Sequence, residues 1–240
     1  LLAAAKADQP IILQVSESTI RYLGLKIAVS LARTALSDYS VTGWLHLDHG
    51  SSPEIVRQCL EAGFDSVMID ASEKPFEENV RITRQVVEMA SQSGANVEAE
   101  LGYVAKLGQS QSNSIFTQPA DASRFVELTG VNALAVAIGT AHGFYKSLPE
   151  LQIGLLKEIR QATPAALVLH GSSGIPDEML REAILAGISK VNLATESKNI
   201  FMKTLKKELL QTDEIDLRKV FPIAIGAVTD LISQKIQVVY

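Results

Sequence analysis

One short pattern recurs along this chain and limits the folds that it can adopt. An amphipathic stretch ends in a glycine or proline turn, and a short, nearly continuous apolar run follows it. Apolar runs that alternate with helical stretches are typical of parallel strands covered on both faces. Seven such runs are present: IILQVSE (11–17), GWLHLDH (43–49), SVMID (66–70), NVEAEL (96–101), ALAVAIG (133–139), ALVLHG (166–171) and KVNLAT (190–195).

The segments between these runs carry helix-start and helix-stop signals. Ser52 precedes Pro53, and Pro176 precedes two acidic residues, as is typical of helix N-termini. Glycines close several of the segments, where the left-handed conformation that ends a helix is wanted. Helices are therefore predicted over residues 52–63, 76–94, 121–130, 148–163 and 175–187.

The number of strand–helix units indicates the architecture. Seven units without a linker or a shift in composition predict one α/β domain over residues 1–240. The expected fold is a (β/α)8 TIM barrel that lacks its first strand in this chain. An open doubly wound sheet is the main alternative, although no GxGxxG turn follows the first strand.

The start of the chain carries a further expectation. LLAAAKADQ reads like the end of a helix, so we expect roughly 25–35 further residues upstream, the size of one strand–helix unit. The strands at 11–17 and 190–195 should then flank a gap as wide as one strand, while the other strands pair in sequence order.

Bulk properties exclude several classes of function. A net charge of −5 argues against a general nucleic-acid surface. Cys59 is the only cysteine, so no intrachain disulfide can form, and a cytoplasmic location is expected. No apolar run reaches the roughly 18 residues that a membrane span requires, and no signal peptide is evident. The expected partner is a small molecule, with no nucleic acid and no membrane.

Titratable side chains collect where the predicted strands end. Catalytic groups of a β/α barrel lie at these C-terminal strand ends. The N-terminal halves of the strands read as apolar, apart from Lys190. This distribution favours an active site over scattered core hydrogen bonds. The residues concerned are Asp48, His49, Asp70, Glu100, His142 and His170.

Three of these residues are histidines from three different strand ends: His49, His142 and His170. Neutral imidazoles suit Zn²⁺, and three protein ligands leave a fourth position for substrate or water. A Zn²⁺ site on these histidines is therefore predicted. His46 lies deeper along its strand, and we expect it to hydrogen-bond within the barrel instead.

Two turns that open onto helices are candidates for a phosphate site. HGSSG (170–174) and NLATES (192–197) would follow strands seven and eight of a complete barrel, where barrel enzymes often bind phosphate. The glycines alone could merely permit a tight turn. Four neighbouring side chains add hydrogen-bond donors: Ser172, Ser173, Asn192 and Thr195.

A metal beside a phosphate pocket narrows the chemistry. Zn²⁺ can polarise a ketone and stabilise the enediolate that forms beside it. Asp48 lies next to a predicted ligand and can move a proton, or it can serve only to orient a histidine. Carbon–carbon cleavage of a sugar phosphate is thus a sensible reaction, and metal-assisted hydrolysis would use the same parts.

The chain resembles the class II, zinc-dependent ketose-bisphosphate aldolases. The matching stretches, in order, are LHLDHGSS, GFDSVMIDAS with PFEENV, VEAELG, TGVNALAVAIGTAHGFY, LVLHGSSGIPDEML and KVNLATE. The resemblance implies a metal-dependent lyase with Zn²⁺ on His49, His142 and His170. It implies Asp48 as the proton donor and acceptor, with Asp70 and Glu100 as secondary metal positions.

The resemblance also implies substrate contacts and an assembly. Ser16, at the end of the first strand, would face the substrate. The expected substrate is fructose 1,6-bisphosphate, cleaved to dihydroxyacetone phosphate and glyceraldehyde 3-phosphate by a homodimer or homotetramer. The dihydroxyacetone-phosphate part would contact Gly143, Gly171, Ser172, Ser173, Asn192, Leu193, Ala194 and Thr195.

Two departures from the family pattern keep alternatives open. The asparagine-bearing first strand of the family would precede Leu1. Residues 103–114 (YVAKLGQSQSNS) contain no acid, whereas relatives usually carry a loop glutamate that assists proton transfer. The alternatives are a tagatose-bisphosphate or related phospho-sugar aldolase and a non-catalytic sugar-phosphate-binding barrel. A Schiff-base aldolase is a further alternative, but Lys190 is expected at the wrong strand end and Lys146 in a loop.

Overall fold

The computed structural model describes residues 1–102, 116–145 and 147–240, in which strands and helices alternate. The strands are β1 (Ile11–Ser16), β2 (Gly43–Gly50), β3 (Ser66–Ile69), β4 (Asn96–Leu101), β5 (Ala133–Val136), β6 (Ala166–Leu169) and β7 (Ile188–Val191). The helices are α1 (Leu2–Ala7), α2 (Glu17–Leu23), α3 (Leu25–Asp38), α4 (Pro53–Glu61), α5 (Phe76–Ser91), α6 (Pro119–Thr129), α7 (Ile153–Ala162), α8 (Asp177–Leu185), α9 (Thr195–Leu209) and α10 (Leu217–Val239). No helix in these ranges has the length and apolar content needed to span a membrane.

The described strands form one parallel sheet in sequence order. Each strand pairs with the next, from β1 to β7, as the sequence predicts. Among the described residues no ladder joins β1 to β7, so these two strands form the edges of the sheet. A cavity of about 460 Å³ lies between them, lined by Ile12 and Gln14 on one side and Lys190 and Val191 on the other. The expected opening between the first and last strands is therefore present in a (β/α)8-type barrel.

The apolar core lies between the sheet and the helices. Alternate side chains of each strand point outward into it, because the side-chain period of a strand is two residues. These strand residues pack against buried helix residues such as Val86, Phe125 and Leu156. The outward set includes Leu45, Leu47, Val67, Ile69, Leu134, Val136, Leu167 and Leu169.

The opposite face of the sheet is more polar than the sequence predicts. His46 and Glu98 are buried there, and Lys190 forms an ion pair with Glu98. The prediction that Lys190 begins its strand is wrong, because β7 begins at Ile188 and Lys190 is its third residue. The prediction of apolar N-terminal strand halves therefore holds only for the face that packs against the helices.

An irregularity at the end of β2 shapes the site. The register between β2 and β3 shifts between Leu47 and Gly50, and His49 has a φ of +48°. A left-handed residue other than glycine costs roughly 1–3 kcal/mol, so the surrounding packing must hold it. Neighbours on a regular strand point to opposite faces. The irregularity allows Asp48 and His49 to lie on the same side, with Oδ1 of Asp48 4.0 Å from Nε2 of His49.

Replacing Gly50 by alanine should destabilise this part of the fold. The added methyl carbon would lie 2.7 Å from the carbonyl oxygen of Met68 and 2.9 Å from Cδ2 of Leu47. Overpacking of this kind costs about 1–3 kcal/mol, which should lower the melting temperature by roughly 2–12 °C in a domain of this size. Gly154→Ala is the matched control, since its methyl group would meet nothing within 4 Å and alanine favours the helix. A Gly50→Ala protein that melts with the wild type would contradict this packing.

Candidate active site

Three histidines from different strand ends lie together at the mouth of the barrel. The ring centres of His49 and His170 are 4.8 Å apart, those of His49 and His142 are 5.2 Å apart, and those of His142 and His170 are 5.8 Å apart. Glu100 joins them in a group whose ligand atoms, one from each residue, all lie within 4.8 Å of one another. The structure thus brings together the three histidines that the sequence analysis selected, with one of the two secondary acids.

Two buried polar atoms in this group have no hydrogen-bond partner. They are Nδ1 of His170 and Oε2 of Glu100, which lie 3.3 Å apart. Buried polar atoms are nearly always satisfied in native proteins, so this pair indicates that a cation belongs beside them. Imidazole nitrogens and a carboxylate oxygen are donors that Zn²⁺ accepts. The donor set therefore fits a divalent transition metal.

Asp70 supports His49 from behind rather than joining the group of four. Its Oδ2 accepts a hydrogen bond of 2.8 Å from Nδ1 of His49, and its Oδ1 accepts from the amide and hydroxyl of Ser72. Burial opposes ionisation of Asp70, but the hydrogen bonds from His49 and Ser72 outweigh it and lower the pKa of Asp70. Burial likewise opposes protonation of His49, and the bond to Asp70 raises the pKa of His49 nonetheless. With Nδ1 engaged, Nε2 of His49 is the nitrogen left for a metal.

Glu98 supports His170 in the same way, and the sequence analysis did not select it. Its Oε1 accepts a hydrogen bond of 2.8 Å from Nε2 of His170. Burial opposes ionisation of Glu98, but the ammonium of Lys190 and the bond from His170 lower the pKa of Glu98. Burial also opposes protonation of His170, but the neighbouring carboxylates of Glu100 and Glu98 raise the pKa of His170 to about 9. The sequence could have indicated Glu98, because residues two positions apart on a strand share a face and Glu98 lies two positions before Glu100 on β4.

His46 lies below the cluster and outside the metal-binding group. Its Nδ1 shares a hydrogen bond of 2.7 Å with Oγ of Ser66. Burial lowers the pKa of His46 to about 4, so the ring is neutral at pH 7. The predicted hydrogen bond within the barrel is confirmed.

Asp48 lies beside the cluster at the open side of the mouth. Its Oδ1 accepts a long hydrogen bond of 3.4 Å from Nε2 of Gln14, and 28% of its side chain is exposed. Ser16 is its partner in the ladder between β1 and β2, so both lie at the same end of the sheet. A cavity of about 430 Å³ opens at His49, on the side lined by Asp70 and His142.

Polar groups after β6 and β7 meet at the N-terminus of α9. The hydroxyl of Ser172 donates to the carbonyl oxygen of Asn192, and Oγ of Ser173 accepts from the amide of Glu196. Helix α9 begins at Thr195, and its N-cap residue Ala194 offers no capping side chain. The first N–H groups of a helix attract anions. Leu193 lies in the same loop, while Gly143 and Gly171 each follow a clustered histidine directly.

Tyr145, which the sequence analysis did not select, ties two histidine-bearing loops together. Its hydroxyl accepts a hydrogen bond of 2.8 Å from the amide of Ala141 and donates one of 2.6 Å to the carbonyl of Gly171. Gly171 has a φ of +67°, and a Cβ there would collide with the backbone of Ala141. The two loops therefore pack backbone to backbone, which holds His142 near His170. The acid-free loop at 103–114 and Lys146 lie outside the described residues.

The whole chain, residues 1–240, matches the sequence model of the family described as fructose-bisphosphate aldolase class-II. It is 44% identical over 229 residues to the fructose-bisphosphate aldolase of Geobacillus stearothermophilus, covering 92% of this chain and 79% of that protein. It is 40% identical over 245 aligned positions to the probable fructose-bisphosphate aldolase of Bacillus subtilis (strain 168), covering 99% of this chain and 85% of that protein.

Solved structures agree with these sequence matches. The crystal structure of the YdjI aldolase from Escherichia coli K12 superposes with a TM-score of 0.87 at 34% identity, covering 98% of this chain and 84% of that one. That of a putative fructose-1,6-bisphosphate aldolase from Coccidioides immitis superposes with a TM-score of 0.89 at 28% identity, covering 99% of this chain and 84% of that one. By its full-length family match and its close relatives, the chain belongs to the class II fructose-bisphosphate aldolases, which are lyases.

Proposed function

We propose that this chain is a zinc-dependent aldolase that cleaves fructose 1,6-bisphosphate reversibly to dihydroxyacetone phosphate and glyceraldehyde 3-phosphate. Membership of the class II family supports the reaction class. The observation that carries the proposal is the group formed by His49, His142, His170 and Glu100, with unpartnered buried atoms on two of its members.

The three histidines would hold the metal, with Glu100 as a secondary ligand. Bound there, Zn²⁺ supplies a Lewis acid that stabilises the negative charge developing on the ketone oxygen. Asp70 and Glu98 each accept a hydrogen bond from one nitrogen of a ligand histidine. Each carboxylate thereby leaves the other nitrogen of its ring free to bind the metal.

Asp48 is the group best placed to move a proton. It is a half-buried carboxylate next to His49 that is also accessible from the mouth. It would accept the proton of the C4 hydroxyl as the C3–C4 bond breaks, and the electrons of that bond would pass to C3 and the ketone group, giving the enediolate of dihydroxyacetone phosphate. A proton taken up from water at C3 would then complete this product. In the synthetic direction the same residue would return the proton to the aldehyde oxygen.

The loops after β6 and β7 would bind the phosphate of the dihydroxyacetone-phosphate part. The hydroxyls of Ser172 and Ser173 are buried at the start of α9, where backbone N–H groups favour an anion. Ser16 would contact the other half of the substrate from β1. The remaining proposed contacts are Gly143, Gly171, Asn192, Leu193, Ala194 and Thr195.

We also propose that the protein acts in the cytoplasm as a homodimer or homotetramer. The single cysteine, Cys59, is a buried free thiol, which suits a reducing compartment. Large apolar side chains are exposed between and along the last two helices, including Leu210, Ile215 and Leu217. Contiguous exposed apolar side chains mark surfaces that another chain covers.

His142→Ala should lose zinc and aldol cleavage together, because three protein ligands form the smallest complete set for a catalytic zinc site. Metal analysis after zinc reloading and an assay of triose phosphate release from fructose 1,6-bisphosphate measure both effects. His46→Ala is the control, and it should keep zinc while its melting temperature falls. Stoichiometric zinc in the His142→Ala protein would refute the ligand assignment.

The identity of the substrate is tested separately with the wild-type protein. Faster cleavage of tagatose 1,6-bisphosphate than of fructose 1,6-bisphosphate would reassign the substrate.

Asp48→Asn should keep zinc but turn over more slowly by roughly 10²–10⁴-fold, the usual loss when a general acid–base group is removed. Asparagine nearly preserves the shape of the side chain but cannot accept and return the proton. Steady-state kinetics beside zinc analysis test this, with the exposed Asp230→Asn as a control. Unchanged turnover combined with weaker zinc binding would show that Asp48 only supports His49.

Tyr145→Phe should weaken zinc binding and lower kcat/KM by roughly tenfold, because two hydrogen bonds between the loops of His142 and His170 are lost. Chelator competition measures the zinc affinity, and Tyr22→Phe is the control because Tyr22 is 87% exposed. Equal zinc affinities for the two variants would mean that the loops hold His142 without Tyr145.

A further inference from the structure

A layer of polar side chains fills the barrel directly beneath the three histidines. His46, Ser66, Glu98 and Lys190 come from four different strands. Glu98 is 2% exposed, and both of its oxygens are engaged. Oε1 accepts from Nε2 of His170 and Oε2 accepts from Nζ of Lys190, each at 2.8 Å. This layer therefore contacts the proposed metal site from below.

Lys190 has a second contact that leads to the substrate loop. Its Nζ donates to Oδ1 of Asn192 at 2.9 Å. Lys190 lies in β7 and Asn192 follows that strand. Because they are two positions apart in extended chain, their side chains lie on the same face. With its oxygen held by the ammonium, the side chain of Asn192 can present its NH₂ group to a ligand.

Glu98 determines which nitrogen of His170 faces the site. The ionised carboxylate accepts from Nε2, so the proton of a neutral ring lies on Nε2 and the lone pair lies on Nδ1. Nδ1 is buried, has no hydrogen-bond partner and lies beside Glu100. Nδ1 is thus the ring nitrogen that faces the other members of the group.

We propose that the Lys190–Glu98 ion pair is a positioning device that presents two groups at once: Nδ1 of His170 to the metal and the amide donor of Asn192 to the substrate. The inference rests on the proposed function, in which His170 is a ligand and Asn192 a substrate contact. Glu98 and Lys190 act through these neighbours. A buried ion pair is weak evidence for stability, since apolar residues of similar volume often replace it without loss. The ion pair contacts His170 through Glu98 and Asn192 through Lys190, and these two contacts indicate a role in positioning rather than in stability.

The test uses three variants of the full chain with measured zinc affinity. Glu98→Gln should weaken Zn²⁺ binding roughly 10–100-fold, the usual effect of losing a carboxylate partner of a ligand histidine. Lys190→Met should also weaken Zn²⁺ binding. At saturating zinc it should additionally raise KM for fructose 1,6-bisphosphate by about tenfold, because the amide of Asn192 is no longer held. The double variant Glu98→Gln/Lys190→Met removes both charges and therefore avoids leaving one buried charge unpaired.

One further measurement and one control variant separate positioning from a merely structural role. In ¹⁵N-histidine NMR spectra of the zinc-loaded protein, the Nε2–H signal of His170 should be protected in the wild type and shifted in Glu98→Gln. Ser66→Ala is the control, because Ser66 belongs to the same layer but contacts His46 rather than His170 or Asn192. It should match the wild type in zinc affinity and KM.

The possible outcomes separate a failure of the proposed function from a failure of the positioning role. A wild-type chain that binds no zinc overturns the proposed function and the positioning role with it. A second outcome is that the wild type binds zinc and cleaves the substrate, while Glu98→Gln and the double variant bind zinc as tightly as Ser66→Ala. That outcome overturns only the positioning role. Weaker zinc binding in both of these variants, with a KM effect confined to the variants that lack Lys190, supports it.

Discussion

Parallel pairing of the strands in sequence order is the constraint on which the rest of this molecule depends. It directs every strand toward the same end, so that side chains from β2, β4 and the loops after β5 and β6 meet at one mouth. The two-residue period of each strand then separates apolar residues, which pack against the helices, from polar residues, which line the interior. A slip of one residue in any strand would exchange these two sets.

The proposed metal ligands depend on acids that do not themselves hold the metal. His49 is held by Asp70, and His170 is held by Glu98, each through a hydrogen bond of 2.8 Å. Rings fixed in this way lose little freedom when a metal binds. The acids also increase the electron density that the free nitrogen offers. Tyr145 adds a link between backbone loops, so the histidines are positioned by side-chain and main-chain contacts together.

Much of this arrangement could be predicted from the sequence, because it follows from local pattern. Apolar runs and glycine stops locate the strands, and the histidines at strand ends identify the site. Lys190 escaped prediction because the start of β7 was placed two residues late, which moved Lys190 to the far end of the barrel. Glu98 escaped because the face that it shares with Glu100 on β4 was not considered. The left-handed φ of His49 and the hydroxyl bridge of Tyr145 arise from tertiary packing, and no sequence period encodes such contacts. Helices α2, α3 and α10 likewise lie outside the repeated pattern.

X-ray absorption at the zinc K-edge of the zinc-loaded chain would identify the ligands of the metal and so test whether the three histidines bind it. We expect about one zinc per chain, with nitrogen ligands near 2.0–2.1 Å from three imidazoles and oxygen completing the shell. The imidazole signal should decrease by about one ring in His170→Ala. A shell of oxygen or sulfur alone, or a spectrum that does not change in this variant, would contradict the assignment of the site.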